Sequence, residues 1–202
     1  MKIDKIDKQT INLISEQMSK DLIKHPLFMF FCNNISKREG FIKDYFSYYL
    51  PKWVKEDVLF SNEKGSALVT LTDPKNFEYK YKGINAYKMK KHSYSSTVFV
   101  HRENLETICE ILLPDSRNSL VMTIYTGSLA PVQEVLDTVK EAMDYALQNN
   151  VILAYDTFSR RYLAPLESHG FTTAYNKQFL NTRFAETVMP VSYTHLTLPT
   201  KA

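Results

Sequence analysis

The sequence predicts an α/β (α+β) fold, a mixed central sheet flanked by helices, on three observations. Its 202 residues are 44% hydrophobic and 13% aromatic, enough to close one core in a single domain. From Ser119 to Met189 apolar strands alternate with helical patterns, the order that builds a layered sheet with a crossover helix. Ahead of them stand two helical patterns and a hairpin.

From Lys8 to Lys24 the apolar residues Ile11, Ile14, Met18 and Leu22 recur at helical spacing. His25-Pro26 ends that pattern, because the residue before proline disfavours the α region. Leu27 to Phe31 continues apolar, and Asn33-Asn34-Ile35-Ser36 offers a turn and a cap for a second helix, Lys37 to about Lys52. Phe41, Tyr45, Phe46, Tyr48 and Tyr49 give that helix a broad aromatic face, read as core packing that also borders a pocket. Val58-Leu59-Phe60 and Ser66 to Leu71 read as two strands joined by the turn Asn62-Glu63-Lys64-Gly65. Asp73-Pro74 closes the second strand.

Lys75 to Tyr94 sets lysines among tyrosines. Such a stretch can bind RNA, but a solvated loop and short helix over the core is the reading taken here. His101 to Leu113 is a short helix, ended by Pro114 to Asn118. Ser119 to Tyr125 is continuously apolar, as a central strand buried on both faces is. Gly127 breaks it, and Pro131 sits where proline favours helix entry. Val132, Val135, Val139, Met143 and Ala146 then face one way, with Gln133, Asp137, Lys140, Asp144 and Gln148 opposite. Asn149-Asn150 ends this helix, Val151 to Ser159 carries the next strand, and Phe184 to Met189 the last.

Net charge is +3 with both signs interspersed, which gives no field for nucleic acid or a membrane surface. No apolar run approaches the ~18 residues of a membrane span, and Met1 to Lys5 is too polar to open a signal peptide, so the expected setting is cytoplasmic. Cys32 and Cys109 sit in apolar company, where a thiol packs as a small hydrophobe; no disulfide and no metal site is expected. Val191 to Thr200 back-translate onto GTC TCT TAT ACA CAT CTG ACG CTG CCG ACG, which resembles read-through of a transposase sequencing adapter. The domain is therefore set at 1–190, and Val191 to Ala202, His195 included, is read as a foreign tail.

The stretch Val151-Ile152-Leu153-Ala154-Tyr155-Asp156-Thr157-Phe158-Ser159, followed by Pro165-Leu166-Glu167-Ser168-His169-Gly170-Phe171, resembles the C-terminal half of the GNAT N-acetyltransferase superfamily. There an apolar strand ends in acid-Thr and a short helix ends in Gly-Phe. Lys20 to Phe31 also resembles the opening of its small-molecule branch, with His25 where an Asp is usual. The likeness spans about Asp21 to Met189. It implies a GNAT-like mixed central sheet, acetyl-CoA as cofactor, and transfer of an acyl group to a primary amine of a small molecule or peptide. No nucleic-acid or membrane partner is implied.

The resemblance also implies where the site lies. Backbone groups of Ile124, Tyr125 and Thr126 would hold the pantetheine arm, and the turn from Gly127 and Ser128 to Gln133 the phosphates. The acceptor would lie against the Phe41 to Tyr49 helix and the Lys75 to Tyr94 segment. The family's glycine-rich turn falls on Ala130 to Val135 and has lost both glycines. Pro131 offers no N–H, and Glu134 repels a diphosphate. Tyr162 stands where an Asn commonly bonds the arm, and Leu166 where a Tyr protonates the leaving thiolate. With no carboxylate between Ser119 and Tyr125, Asp156 and His101 are the candidates for acid–base work. Arg160 and Arg161 are read as solvated arginines at the mouth of the site. The alternative reading is a GNAT-fold module that senses a ligand or a partner without catalysis.

Overall fold

The structure, a computed structural model of the chain, describes residues 1–76, 95–113, 118–127, 129–179 and 183–191. Its described helices are α1 (Lys8–Asp21), α2 (Pro26–Phe31), α3 (Ile35–Glu56), α4 (Ser95–Leu112), α5 (Val132–Gln148) and α6 (Leu163–Glu167). The strands are β1 (Val58–Ser61), β2 (Ala67–Thr72), β3 (Ser119–Thr126), β4 (Ile152–Thr157), β5 (Tyr175–Gln178) and β6 (Ala185–Pro190). They form one sheet in the order β1-β2-β3-β4-β6-β5. Only β3 and β4 run parallel; every other pair is antiparallel. A parallel pair needs a crossover, and α5 supplies it.

The helices cover both faces. On one, α1 to α3 pack Met18, Leu22, Phe28, Phe46 and Trp53 against Leu59, Leu68 and Tyr125. Beside them α4 lays Leu105, Ile108 and Cys109 on Val121, Ala154 and Val188. On the other face Val135, Val139, Ala142, Met143 and Ala146 of α5 meet Met122, Ile124, Leu153 and Tyr155. From Val135 onward that stripe is the one the spacing predicts; Val132, counted with it, is exposed, because it stands in the first turn beyond the edge of the core. Leu166 and Phe171 join the same core, because Gly170 takes φ 89 and turns the chain inward after α6.

Element ends differ from the sequence reading where tertiary contacts override local signals. The first helix stops at Asp21, not Lys24, and Leu27 to Phe31 forms a helix of its own, α2. Pro26 is pre-set for its first turn, and the His25 Nδ1 accepts the Leu27 N–H at 3.3 Å. Burial holds the His25 pKa down at about 4, which leaves that lone pair free. The second predicted helix runs to Glu56, through Pro51, because Leu50 and Trp53 on either side of the proline are both buried. α4 begins at Ser95, six residues before His101, with Val98 buried. β5 carries no apolar alternation; it exists because it pairs with β6 at the sheet edge.

The Lys75 to Tyr94 reading falls, from residue 77 onward, outside the described residues. Val191, assigned to the tail, is buried; its N–H donates to the Leu153 carbonyl at 2.9 Å and it pairs with Phe171.

One buried cation ties the first three helices together. Arg38 of α3 donates to the carbonyls of Cys32 at 2.7 Å, Ile23 at 2.7 Å and Asn33 at 3.2 Å. Replacing it leaves the buried Cys32 carbonyl without a partner and removes the part-buried bonds to Ile23 and Asn33. Arg38→Met should therefore lower unfolding free energy by about 3 kcal/mol in urea titration. A loss within experimental error would show that the loop between α2 and α3 has other anchors.

Candidate active site

The ladder between β3 and β4 pairs Ser119 with Ile152 and ends at Met122 with Tyr155. Beyond it Thr123 to Thr126 keep β2 alone as partner, while Asp156 and Thr157 pair only with β6. Alternate N–H and C=O groups of that half of β3 consequently face a gap. Three spaces follow one another along it.

At the inner end is a chamber of about 30 Å³, room for about one water, walled by Phe31, Tyr45, Trp53, Tyr125, His101 and Asp156. Trp53 stacks on Tyr125 with centroids 5.2 Å apart, and the Tyr45 and Tyr125 hydroxyls meet at 3.2 Å. Burial raises both phenol pKa values. Next, a cavity of about 160 Å³ lies between Thr126 and Ser159, Arg161 and Tyr162. Outermost is a cleft of about 530 Å³ at the start of α5, bordered by Lys20, Lys24, Lys64, Gly127, Ala130 and Pro131.

The chamber's chemistry centres on His101. Its Nε2 lies 3.1 Å from Asp156 Oδ2 and 3.1 Å from Glu186 Oε1, and all three side chains are buried. Asn104 holds the other Glu186 oxygen, donating at 2.6 Å. Burial alone would push the imidazole pKa down, but the charge and hydrogen bonding of Asp156 and Glu186 win and raise it to about 9. Burial raises the Glu186 pKa, with His101 pulling the other way. Burial and the two carboxylates push the Cys109 thiol to about 12, far from a nucleophile. The three ligand-type atoms lie within 4.8 Å of one another, a spacing a cation can bridge; the 3.1 Å contacts are equally those of an imidazolium between two carboxylates.

At the outer end the departures from a glycine-rich turn have physical answers. Glu134 borders the cleft, as does Asp21, but Lys64 pairs with it at 2.7 Å and Asn62 donates to it at 3.3 Å, so its charge is partly offset. Arg161 is not solvated as expected: its guanidinium donates to the Gly127 carbonyl at 2.9 Å and to that of Ala130, turning both away from the cleft. Arg160 is exposed. Gly127 is required by α1, since a Cβ there would stand 2.9 Å from the Asp21 Cβ. The first N–H groups of α5 have no side-chain cap.

No protein-family model and no curated sequence matches the chain. Solved structures do. The C-terminal condensation domain of Ebony, in complex with beta-alanyl-dopamine, superposes with TM-score 0.61 at 11% identity, over 94% of this chain and 97% of that one. A Salmonella typhimurium protein assigned as an acetyltransferase, with its cofactor acetyl-CoA, gives TM-score 0.52 at 10% identity, covering 100% of this chain and 98% of that one. A third, from Acinetobacter baylyi and also assigned as an acetyltransferase, gives 0.51 at 12% identity, covering 98% and 94%. The chain has a GNAT-like fold, a mixed sheet flanked by helices.

Within the GNAT fold the structure brings most of the expected residues together. His101 and Asp156, far apart in sequence, are in contact. Ile124, Tyr125, Thr126 and Gly127 line up along the freed half of β3, with the Ile124 side chain turned into the α5 core. Tyr162 faces Thr126 across the middle cavity; its buried hydroxyl has no hydrogen-bond partner, and burial raises its pKa. Gln133 stands on the exposed side of α5, its amide donating to Asp137 at 2.9 Å, and borders neither outer space. Ser128 lies outside the described residues. Leu166 is packed in the core, so that position cannot serve the chamber. Glu186 went unread in the sequence, although it shares the strand face of buried Val188 two residues on. Among the described residues no helix is long and apolar enough to cross a membrane.

The His101 cluster makes stability pH-dependent. A histidine raised from 6.5 to about 9 contributes stability fully present below 6.5 and lost as pH rises through 9. Asp57, raised by burial from 3.8 to about 7, completes its own loss at lower pH. The midpoint of thermal unfolding should therefore keep falling between pH 7 and 9, and that upper decline should flatten in Glu186→Gln; an unchanged slope in the variant would separate the decline from this cluster.

Proposed function

We propose that the protein is an acyl-CoA-dependent N-acyltransferase working in the cytoplasm, which transfers an acetyl group to a primary amine of a small molecule or peptide. The observation that carries this reading is the unpaired half of β3, along which Tyr125, Thr126 and then Gly127 each border one of the three spaces. From Gly127 back to Thr123 is about 13 Å of strand, on the scale of an extended pantetheine arm. The residues fit such a donor. Uncapped α5 N–H groups with Lys20 and Lys24 suit phosphates, and the unpartnered Tyr162 hydroxyl sits where the amide-bearing arm would pass. Acetyl-CoA would supply an activated acyl thioester. The chain would supply alignment, with acceptor and thioester carbon meeting beside Tyr125 and Asp156. The aromatic walls suit an amine that carries a ring, and the beta-alanyl-dopamine held by the Ebony domain is an amide that carries one.

A second reading, a GNAT-fold module that binds without turnover, is favoured by the small inner chamber and by Arg161 closing the turn. Two measurements separate them. Calorimetry should give micromolar acetyl-CoA affinity, and a panel of primary amines should include one acetylated at an enzyme-like rate; binding without any turnover supports the second reading, and no binding sinks the first. Gly127→Val should weaken acetyl-CoA at least tenfold by forcing the end of α1 over the cleft. Adding Asp21→Gly, which removes the clash, should recover most of that loss; unchanged affinity in the single variant would move the phosphate site elsewhere.

A further inference from the structure

The two carboxylates against His101 are not equivalent. Glu186 is fully enclosed, with Oε2 held by Asn104 and Oε1 on the imidazole. Asp156 borders the chamber; Oδ2 touches the imidazole, while Oδ1 is buried with no partner. Nε2 carries one proton and lies 3.1 Å from an oxygen of each acid, so its single N–H is shared between two acceptors. The cluster thus holds a proton shared between two carboxylates, next to a buried acceptor oxygen without a partner, at the base of the gap between β3 and β4.

Resting on the acyl-transfer reading, we infer that His101 is the general acid that protonates the departing thiolate, Asp156 the base that takes the proton of the amine, and Glu186 a positioning residue that keeps His101 charged. The step balances. The amine nitrogen bonds to the thioester carbon, the C–S bond breaks, and the sulfur takes the proton of His101 Nε2. The proton released by nitrogen passes to Asp156 Oδ1, and rotation of the protonated carboxyl about its Cβ–Cγ bond then brings that oxygen to the place of Oδ2, 3.1 Å from Nε2, where the proton returns to the imidazole. This supplies the acid that Leu166, packed in the core, cannot. Other titratable or charged groups near the imidazole are Tyr45 of α3, Tyr125 of β3, and Arg102 and Cys109 on its own helix. Phe31, Phe158 and Phe179 enclose the ring.

The test joins a nuclear magnetic resonance titration of the His101 ring nitrogens in the free protein to leaving-group kinetics. His101 should remain imidazolium at pH 8 in the wild type and titrate at least one pH unit lower in Glu186→Gln. With acetyl-CoA as donor, His101→Gln should cost at least 100-fold in kcat, and with p-nitrophenyl acetate, whose leaving group needs no acid, under tenfold. Glu186→Gln should move the alkaline limb of the kcat profile down with the ring titration, with KM for acetyl-CoA unchanged. A neutral imidazole at pH 8, or equal losses with both donors, would overturn the proton role. Wild-type silence toward every amine with His101 charged would overturn the acyl-transfer reading itself and with it the assignment. If His101→Gln does not fold, the Glu186→Gln limb and titration decide alone.

Discussion

Where β3 stops pairing with β4 governs most of what this protein offers a ligand. A parallel pair continued to the strand ends would seal the sheet between Thr126 and Thr157. Ending at Met122 and Tyr155 leaves backbone donors and acceptors on the β3 side without a strand to satisfy them. The sheet tolerates this because both strands are held from their far sides, β3 by β2 through Thr126 and β4 by β6 through Thr157. The opening is therefore a rigid feature bounded by ladders, not a loop, and α5 and α6 close it from one face while α1 to α4 close it from the other.

Charge is placed along that opening in a consistent order. The inner end holds a compensated cluster in which two carboxylates outweigh the burial cost of an imidazolium. The outer end has lysines from α1 and the β1–β2 turn around the start of α5. Between them the middle cavity sets Asp21 and Lys24 of the α1 end opposite Thr126 and Tyr162, with Arg161 committed to backbone carbonyls. Such a gradient orients a long donor with an anionic head and a neutral acyl end. Aromatic rings on α2 and α3 make the inner end stiff, since Phe28, Tyr45, Trp53 and Tyr125 pack edge-to-face or stacked on one another.

Loss of the glycine-rich turn is also more limited in effect than its residues suggest. Pro131 caps a helix start where its missing N–H costs nothing, and Lys64 balances Glu134. What the turn gives up is space: Asp21 comes down on Gly127, and Arg161 draws in the Gly127 and Ala130 carbonyls. Recognition of phosphate in this arrangement falls to side chains of α1 more than to a backbone nest.

By itself the sequence determined the fold class, the hairpin, the central strand, the stripe of α5 and the Gly-Phe stop after α6, because each rests on local periodicity or backbone chemistry that a chain carries with it. Through the family resemblance it also left His101 and Asp156 as the candidates for acid–base work. Tertiary structure alone decided the rest. α3 passes Pro51 because buried rings hold both sides of it, and polar β5 forms because β6 offers an edge. Glu186 reads as an ordinary polar residue until β6 lies beside β4, and then it becomes half of the His101 cluster. The width of the inner chamber and the reach of Asp21 and Arg161 depend on side chains distant in sequence meeting in space, which no periodicity encodes.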